Sequence, residues 1–173
     1  MIFVTVGTHE QQFDRLLKKV DNLKEKGILR EDVFIQKGFS TYKPQYCQYE
    51  NFLSFNDMIK KIQKARMVIT HGGPGSIMSA LYNRKIPIAV PRQKSYAEHV
   101  DDHQIHFVRM LEENGRIIAV YDIEEMEHKI QKYNELVNDL KKTDEETVDL
   151  NKRVRKFVKA IDKICQELTS DDG

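Results

Sequence analysis

Apolar residues recur along this chain with two alternating periods. Short β-branched runs at 2–6, 33–36, 67–69, 86–90 and 117–120 read as strands, and most intervals between them carry apolar residues three and four apart, which is helical spacing. The first such interval holds Phe13, Leu16, Leu17, Val20 and Leu23 and closes at Gly27. A second helix, predicted at 55–65 with Ser54 or Asn56 as its cap, turns Met58, Ile59 and Ile62 inward. A short helix is expected at 77–83. Another carries Ile105, Val108, Met110 and Leu111 and stops at Gly115. Pro87 falls near the start of its strand, where the missing N–H is tolerated. Tyr42, Tyr46 and Tyr49 mark a polar stretch with room for one more short strand, its tyrosines half-buried in a loop or on an edge. Helices are expected over 123–140 and 145–168, the latter with an apolar stripe of Val148, Val154, Phe157, Val158, Ile161, Ile164 and Leu168 suited to packing on its own domain, the default, or on a partner. Residues 169–173 read as a disordered tail.

Strands alternating with helices imply βαβ units, hence an α/β fold: a Rossmann-like parallel sheet with helices on both faces and right-handed crossovers. The 173 residues suit one domain, 1–168, with 145–168 as its terminal helix. With 28 basic and 27 acidic residues the net charge is +1, so no bulk attraction to nucleic acid or anionic lipid is expected. The two cysteines, Cys47 and Cys165, lie in no metal-ligand or disulfide spacing, which fits a reducing compartment. No apolar run reaches the ~18–20 residues that span a bilayer. Met1 leads straight into a strand, so no signal peptide is expected and a cytoplasmic location is.

The candidate chemistry sits where strands give way to polar loops. After the run ending at Ile69, the sequence Thr70-His-Gly-Gly-Pro-Gly-Ser76 reads as a strand-to-helix turn. Glycines at 72, 73 and 75 admit positive φ and close approach of a ligand, while Pro74 and Ser76 suit the first helical turn and its cap. Free N–H groups and the helix dipole there favour an anion such as a diphosphate. Neither the dinucleotide fingerprint nor the P-loop pattern is present, and a turn that merely closes a loop is the alternative. Gly7-Thr8-His9 follows the first strand, and 92–104 follows the strand after the central one, so three polar segments meet at the carboxyl edge of the sheet, where α/β folds bind ligands. Within the third, Glu98, His99, Asp101, Asp102, His103 and Gln104 offer donors and acceptors suited to sugar or ribose hydroxyls. His99 and His103, four apart on one expected helix face, leave a metal-dependent hydrolase as a minor alternative. The metalloprotease pattern is absent, and no metal is expected.

Val4-Thr-Val-Gly-Thr-His9, Thr70-His-Gly-Gly-Pro-Gly-Ser76 and Val90-Pro-Arg-Gln-Lys-Ser-Tyr-Ala-Glu-His-Val-Asp-Asp-His-Gln104, in this order, resemble the glycosyltransferase family 28 carboxy-terminal domain. The match is nearest to the small subunits of two-part bacterial exopolysaccharide and capsule glycosyltransferases, which are similar to the catalytic subunit of the dolichol-linked N-acetylglucosaminyltransferase. The resemblance implies a single GT-B half-domain that binds a UDP-sugar and transfers the sugar with inversion to a polyprenyl-diphosphate-linked acceptor. It also implies a membrane-associated partner that supplies the acceptor half-site and recruits this chain to the inner face of the membrane. Carried over by position, Gly7, Thr8, His71, Gly72, Gly73, Gly75 and Ser76 hold the donor diphosphate, and Glu98, His99, Asp102 and Gln104 face the donor sugar. His9 and His99 are the candidates for a base. No cofactor is implied, because the UDP-sugar is itself a substrate. The capsule resemblance suggests galactose or glucose as the sugar. Many relatives carry a ribose-binding glutamate where this chain has Ser79, so the resemblance implies that ribose recognition is weaker or comes from another side chain. A non-catalytic nucleotide-sugar-binding subunit is the alternative reading.

Overall fold

The structure, a computed structural model, describes residues 1–145. The chain divides into two compact units, Met1–Leu140 and Lys141–Gly173. The expected helix over 145–168, its apolar stripe, Cys165 and the expected tail lie outside the described residues.

Among the described residues the strands are β1 (Ile2–Thr5), β2 (Val33–Gln36), β3 (Gln48–Glu50), β4 (Met67–His71), β5 (Ile88–Val90) and β6 (Ile118–Ala119). The helices are α1 (Asp14–Glu25), α2 (Phe55–Lys64), α3 (Pro74–Tyr82), α4 (His103–Glu113), α5 (Met126–Gln131) and α6 (Tyr133–Glu145). The strands form one sheet in the order β3-β2-β1-β4-β5-β6, every pair parallel. Strand order therefore reverses between β1 and β4, which opens a crevice above their carboxyl ends. Successive residues of a strand face opposite sides of a sheet, and the core divides accordingly. Ile2, Val4 and Val6 pack with Leu16, Leu17 and Val20 of α1 and with Met126 and Ile130 of α5. Phe3 and Val68 pack on the other face with Ile62 of α2 and Ala80 of α3.

Helix ends follow local chemistry. Ser54 caps α2 by accepting from the Asp57 N–H at 3.1 Å. Gly27, at φ +70, closes α1, a conformation that costs a residue with a Cβ. Three of the departures from the expected boundaries have a local cause. Helix α3 starts at Pro74 rather than at 77, because the fixed φ of proline is already helical and its missing N–H is no loss in the first turn. Strand β5 starts at Ile88, past Pro87, which cannot donate to the ladder but does accept from the Ile118 N–H at 3.0 Å. The single helix expected over 123–140 is broken into a 3-10 turn at Ile123–Glu125, α5 and α6. The break re-aims the chain so that Tyr133 is buried and its hydroxyl donates to the Ile86 carbonyl at 2.8 Å.

The tyrosine-rich stretch holds the short edge strand β3, whose three residues are all exposed. It is fastened to α1 by two carboxylates one heptad apart. Asp14 accepts from the Thr41 and Tyr42 N–H groups at 2.9 and 3.0 Å. Buried Asp21 accepts from the Tyr42 hydroxyl and from the Gln45 and Tyr46 N–H groups at 2.8, 2.8 and 2.9 Å. Burial alone raises the Asp21 pKa, but these hydrogen bonds outweigh it and hold the carboxyl below its usual range. No helix among the described residues is long and apolar enough to cross a membrane.

Candidate active site at the carboxyl edge of the sheet

The three polar segments do converge at the switch point. Gly7, at φ +73, turns the chain out of β1, its N–H donating to Thr5 Oγ1 at 3.2 Å. Thr8 and His9 follow, exposed. On the adjoining strand, His71 ends β4 and Gly73 is the N-cap of α3, with no side chain capping the helix. The N–H groups of Gly75 and Ser76 lie in the first turn, where an α-helix provides no acceptor. A Cβ built on Gly75 meets nothing within 4 Å. An uncapped helix start with open space at its glycine has the geometry and the sign that suit an anion.

The glycines of this turn differ from expectation in mechanism. None of Gly72, Gly73 and Gly75 is at positive φ. Gly72 is small because α4 packs against it: a Cβ would lie 2.9 Å from Gln104 Cβ and 3.0 Å from Val108 Cγ2. Gly73 is small because of His71, whose Nε2 would lie 2.2 Å from the added atom. Gly7 faces the same ring, with Nε2 at 2.7 Å. One imidazole is thus a spacer between the β1 turn and the β4 turn. His71 is 8% exposed, and burial, reinforced by the charge of Arg92, pushes its pKa down to about 3, so the ring is neutral. Ser76, expected in part as a cap, is simply a half-buried residue of the first turn.

In the third segment Asp102 is exposed and one carboxylate oxygen accepts from the Lys94 N–H at 2.9 Å. Gln104 is buried at the start of α4, and its Oε1 accepts from the Arg92 N–H at 3.2 Å. Since that partner can only donate, the amide orientation is fixed and its NH2 end is left for another acceptor. His99 stands ring to ring with His9, centroids 4.7 Å apart. Burial, then the charges of His99 and Arg92, hold His9 below its ordinary pKa. His99 and His103 do not share a helix face, because α4 begins only at His103. Both instead face Asp101, at 3.0 and 3.2 Å. No group of three or more potential metal ligands occurs among the described residues.

Glu98, expected to line the sugar subsite, is instead 1% exposed and held by the scaffold. It takes a bidentate pair of 2.9 Å bonds from Arg15 Nε and Nη2 and a 3.1 Å bond from the Gln93 N–H. Ser79 is likewise committed, its hydroxyl donating to the Gly75 carbonyl at 2.7 Å. Arg15 and Arg92 had no recognisable sequence signal, since their partners are far away or lie in the backbone. The polar side-chain atoms buried without a partner among the described residues are Gln11 Oε1, Arg15 Nη1, His71 Nδ1 and Arg92 Nε. All four belong to this edge, as expected where a solvated or liganded cleft lies. A separate hollow of about 550 Å³ flanks α1 beside Tyr42 and Glu124. Of the residues at the carboxyl edge it shares only Arg15, and it lies off the crevice.

Comparison with known proteins agrees with this architecture. The glycosyltransferase family 28 C-terminal domain matches residues 1–164. The human UDP-N-acetylglucosamine transferase subunit ALG13 is 30% identical over 125 residues, covering 67% of this chain and 10% of that protein. Among solved structures, the glycotransferase of kitacinnamycin superposes with a TM-score of 0.55 at 13% identity, covering 82% of this chain and 38% of that one. The glycosyltransferase SnogD from Streptomyces nogalater gives a TM-score of 0.48 at 16% identity, over 69% of this chain and 30% of that one. The chain therefore spans a tenth of the length of its human relative and between 30% and 38% of the two solved enzymes.

Proposed function

The chain belongs to the glycosyltransferase family 28 C-terminal domain, and from that premise we propose that it is the donor-binding, catalytic subunit of an inverting UDP-sugar transferase. The observation that carries the reading is the uncapped start of α3 at the switch point, open above Gly75. The diphosphate of the donor lies there on the Gly75 and Ser76 N–H groups, flanked by Gly7 and Thr8 of the β1 turn. As the sugar departs, charge builds on the leaving diphosphate, and amides already aimed at it stabilise that charge without reorganising. Exposed Asp102 and the free NH2 end of Gln104 read sugar hydroxyls. The base that inversion needs stands near the acceptor hydroxyl. His9 and His99 are the imidazoles on this side of the cleft.

The acceptor is a polyprenyl-diphosphate-linked sugar of exopolysaccharide or capsule synthesis, and the transferred sugar is galactose or glucose. A membrane-associated partner supplies the acceptor half-site and brings this cytoplasmic chain to the membrane. Support for a partner comes from the word subunit in the human relative's name. Titration calorimetry with UDP, ADP and GDP tests the donor assignment. UDP is expected to bind at least about tenfold more tightly than the others, a difference of about 1.4 kcal/mol. Equal affinity for all three, or none for UDP, sinks it.

A further inference from the structure

Among the described residues Arg92 is the largest side chain buried without any exposure, at 0%, and none of them gives it a carboxylate as a direct partner. Its Nη1 donates to the carbonyls of Gln11, Gln12 and Glu98 at 2.9, 3.0 and 3.1 Å. Its Nη2 donates to the Val6 carbonyl at 2.9 Å. The guanidinium carbon stands 4.9 Å over the Phe13 ring. Glu98, the acid beside it, gives its carboxylate to Arg15 and offers Arg92 only its main chain. The Arg92 N–H, meanwhile, holds Gln104 Oε1. One residue thus ties the end of β1, the β1–α1 loop, the β5–α4 loop and the first turn of α4.

Such a placement is expensive. A buried ion is often less favourable than an apolar side chain of equal volume, and for this one burial lowers the pKa to about 10, still charged at neutral pH. Main-chain carbonyls facing inward at loops, however, need donors, and only a planar fork reaches several at once. The charge also reaches the neighbouring histidines, lowering both His71 and His9.

We propose that Arg92 is the positioning residue of the donor site: it sets the β1 and β5 loops against the start of α3 and orients Gln104 so that its NH2 group alone faces the sugar. This rests on the donor reading above. The guanidinium acts without touching the donor, through loop shape and through a fixed positive potential behind the diphosphate cradle.

The test is Arg92→Lys, which keeps the charge and loses the fork, alongside Arg92→Met, which loses both. Hydrogen exchange at 6–13 and 93–99 needs no ligand. In Arg92→Lys it is expected to quicken at both loops by about tenfold or more, with the central strands unchanged, as local opening without global unfolding does. UDP affinity in the same protein should fall by about tenfold or more, and further in Arg92→Met. Loops protected as in wild type, or loosened loops with UDP affinity within about twofold of wild type, overturn the proposal. Should neither variant fold, exchange in the wild type decides: UDP must protect both loops together, and protection of only one overturns it. Failure of wild-type protein to bind UDP at all is a different result, which removes the donor reading and this role with it.

Discussion

A neutral imidazole wedged between two glycines makes the switch point sensitive to acid. Below pH 6.5 an unfolded chain protonates His71, whereas the folded chain resists until about pH 3. Unfolding therefore takes up a proton between those values, and stability falls as pH falls through that window and is level above it. At pH 5 the loss is about 2 kcal/mol, at 1.36 kcal/mol per pH unit. The depressed carboxyls of Asp21, Glu31 and Asp101 have the same sign but act only below their ordinary values of 3.8 to 4.5, beneath that pH. Urea unfolding at pH 7 and pH 5 is expected to show the drop in wild type and a clearly smaller one in His71→Gln, where a neutral amide replaces the ring and His9, also lowered, keeps its own lesser share. An equal drop in both proteins contradicts the buried-histidine account. The residue was visible in the sequence as a strand-end histidine. Its role as a spacer was not, because Gly7, which it touches, is sixty-odd positions away and nothing local encodes the contact.

Helix α3 carries two glycines with opposite duties, and substitution separates them. At Gly75 a methyl group meets open space within a helix, so Gly75→Ala should stabilise by about 0.5–1 kcal/mol, or about 1–4 °C in Tm, while weakening UDP binding by crowding the cradle. Gly73→Ala drives a Cβ into His71 and should destabilise by about 1–3 kcal/mol as well as weaken binding. Thermal melts and calorimetry on the two variants check both signs, and a Gly75→Ala that stabilises yet binds UDP unchanged takes the phosphate away from this turn. At this scale the sequence was most readable where apolar spacing was long and regular: α1, α2 and the strands β1, β2 and β4 fall where the pattern put them. It was least readable where one atom decides an end, as with the tyrosine hydroxyl that breaks the chain before α6. The β2–β3 loop was read as polar and aromatic without a purpose. Its purpose is Asp21, an acid in a helical stripe of leucines that no periodicity distinguishes from surface.

Viewed whole, the sheet order was not encoded in any local pattern, yet it decides the site. Alternating strands and helices announce a parallel sheet, but only the crossover from β3 to β4, past β2 and β1, sets the β1 and β4 turns side by side. The three motifs are then one crevice at the carboxyl edge of the sheet. A nucleotide-sugar held in half a cleft is exposed to water, and transfer needs the acceptor hydroxyl oriented within reach of the anomeric carbon, a positional advantage of about 7–11 kcal/mol at its largest. On the proposed reading the isolated chain therefore binds UDP-sugar but transfers it at a small fraction of the rate reached with the acceptor subunit, about 10⁵-fold slower or more by that measure. Radiolabelled transfer to a polyprenyl-diphosphate acceptor, with and without membranes carrying the partner, reads the difference directly. Full-rate transfer by the chain alone means that the acceptor site lies within these 173 residues, and the exposed phenylalanines at the ends of β2 and β3, Phe39 and Phe52, 5.0 Å apart, are then the first place to look for the lipid.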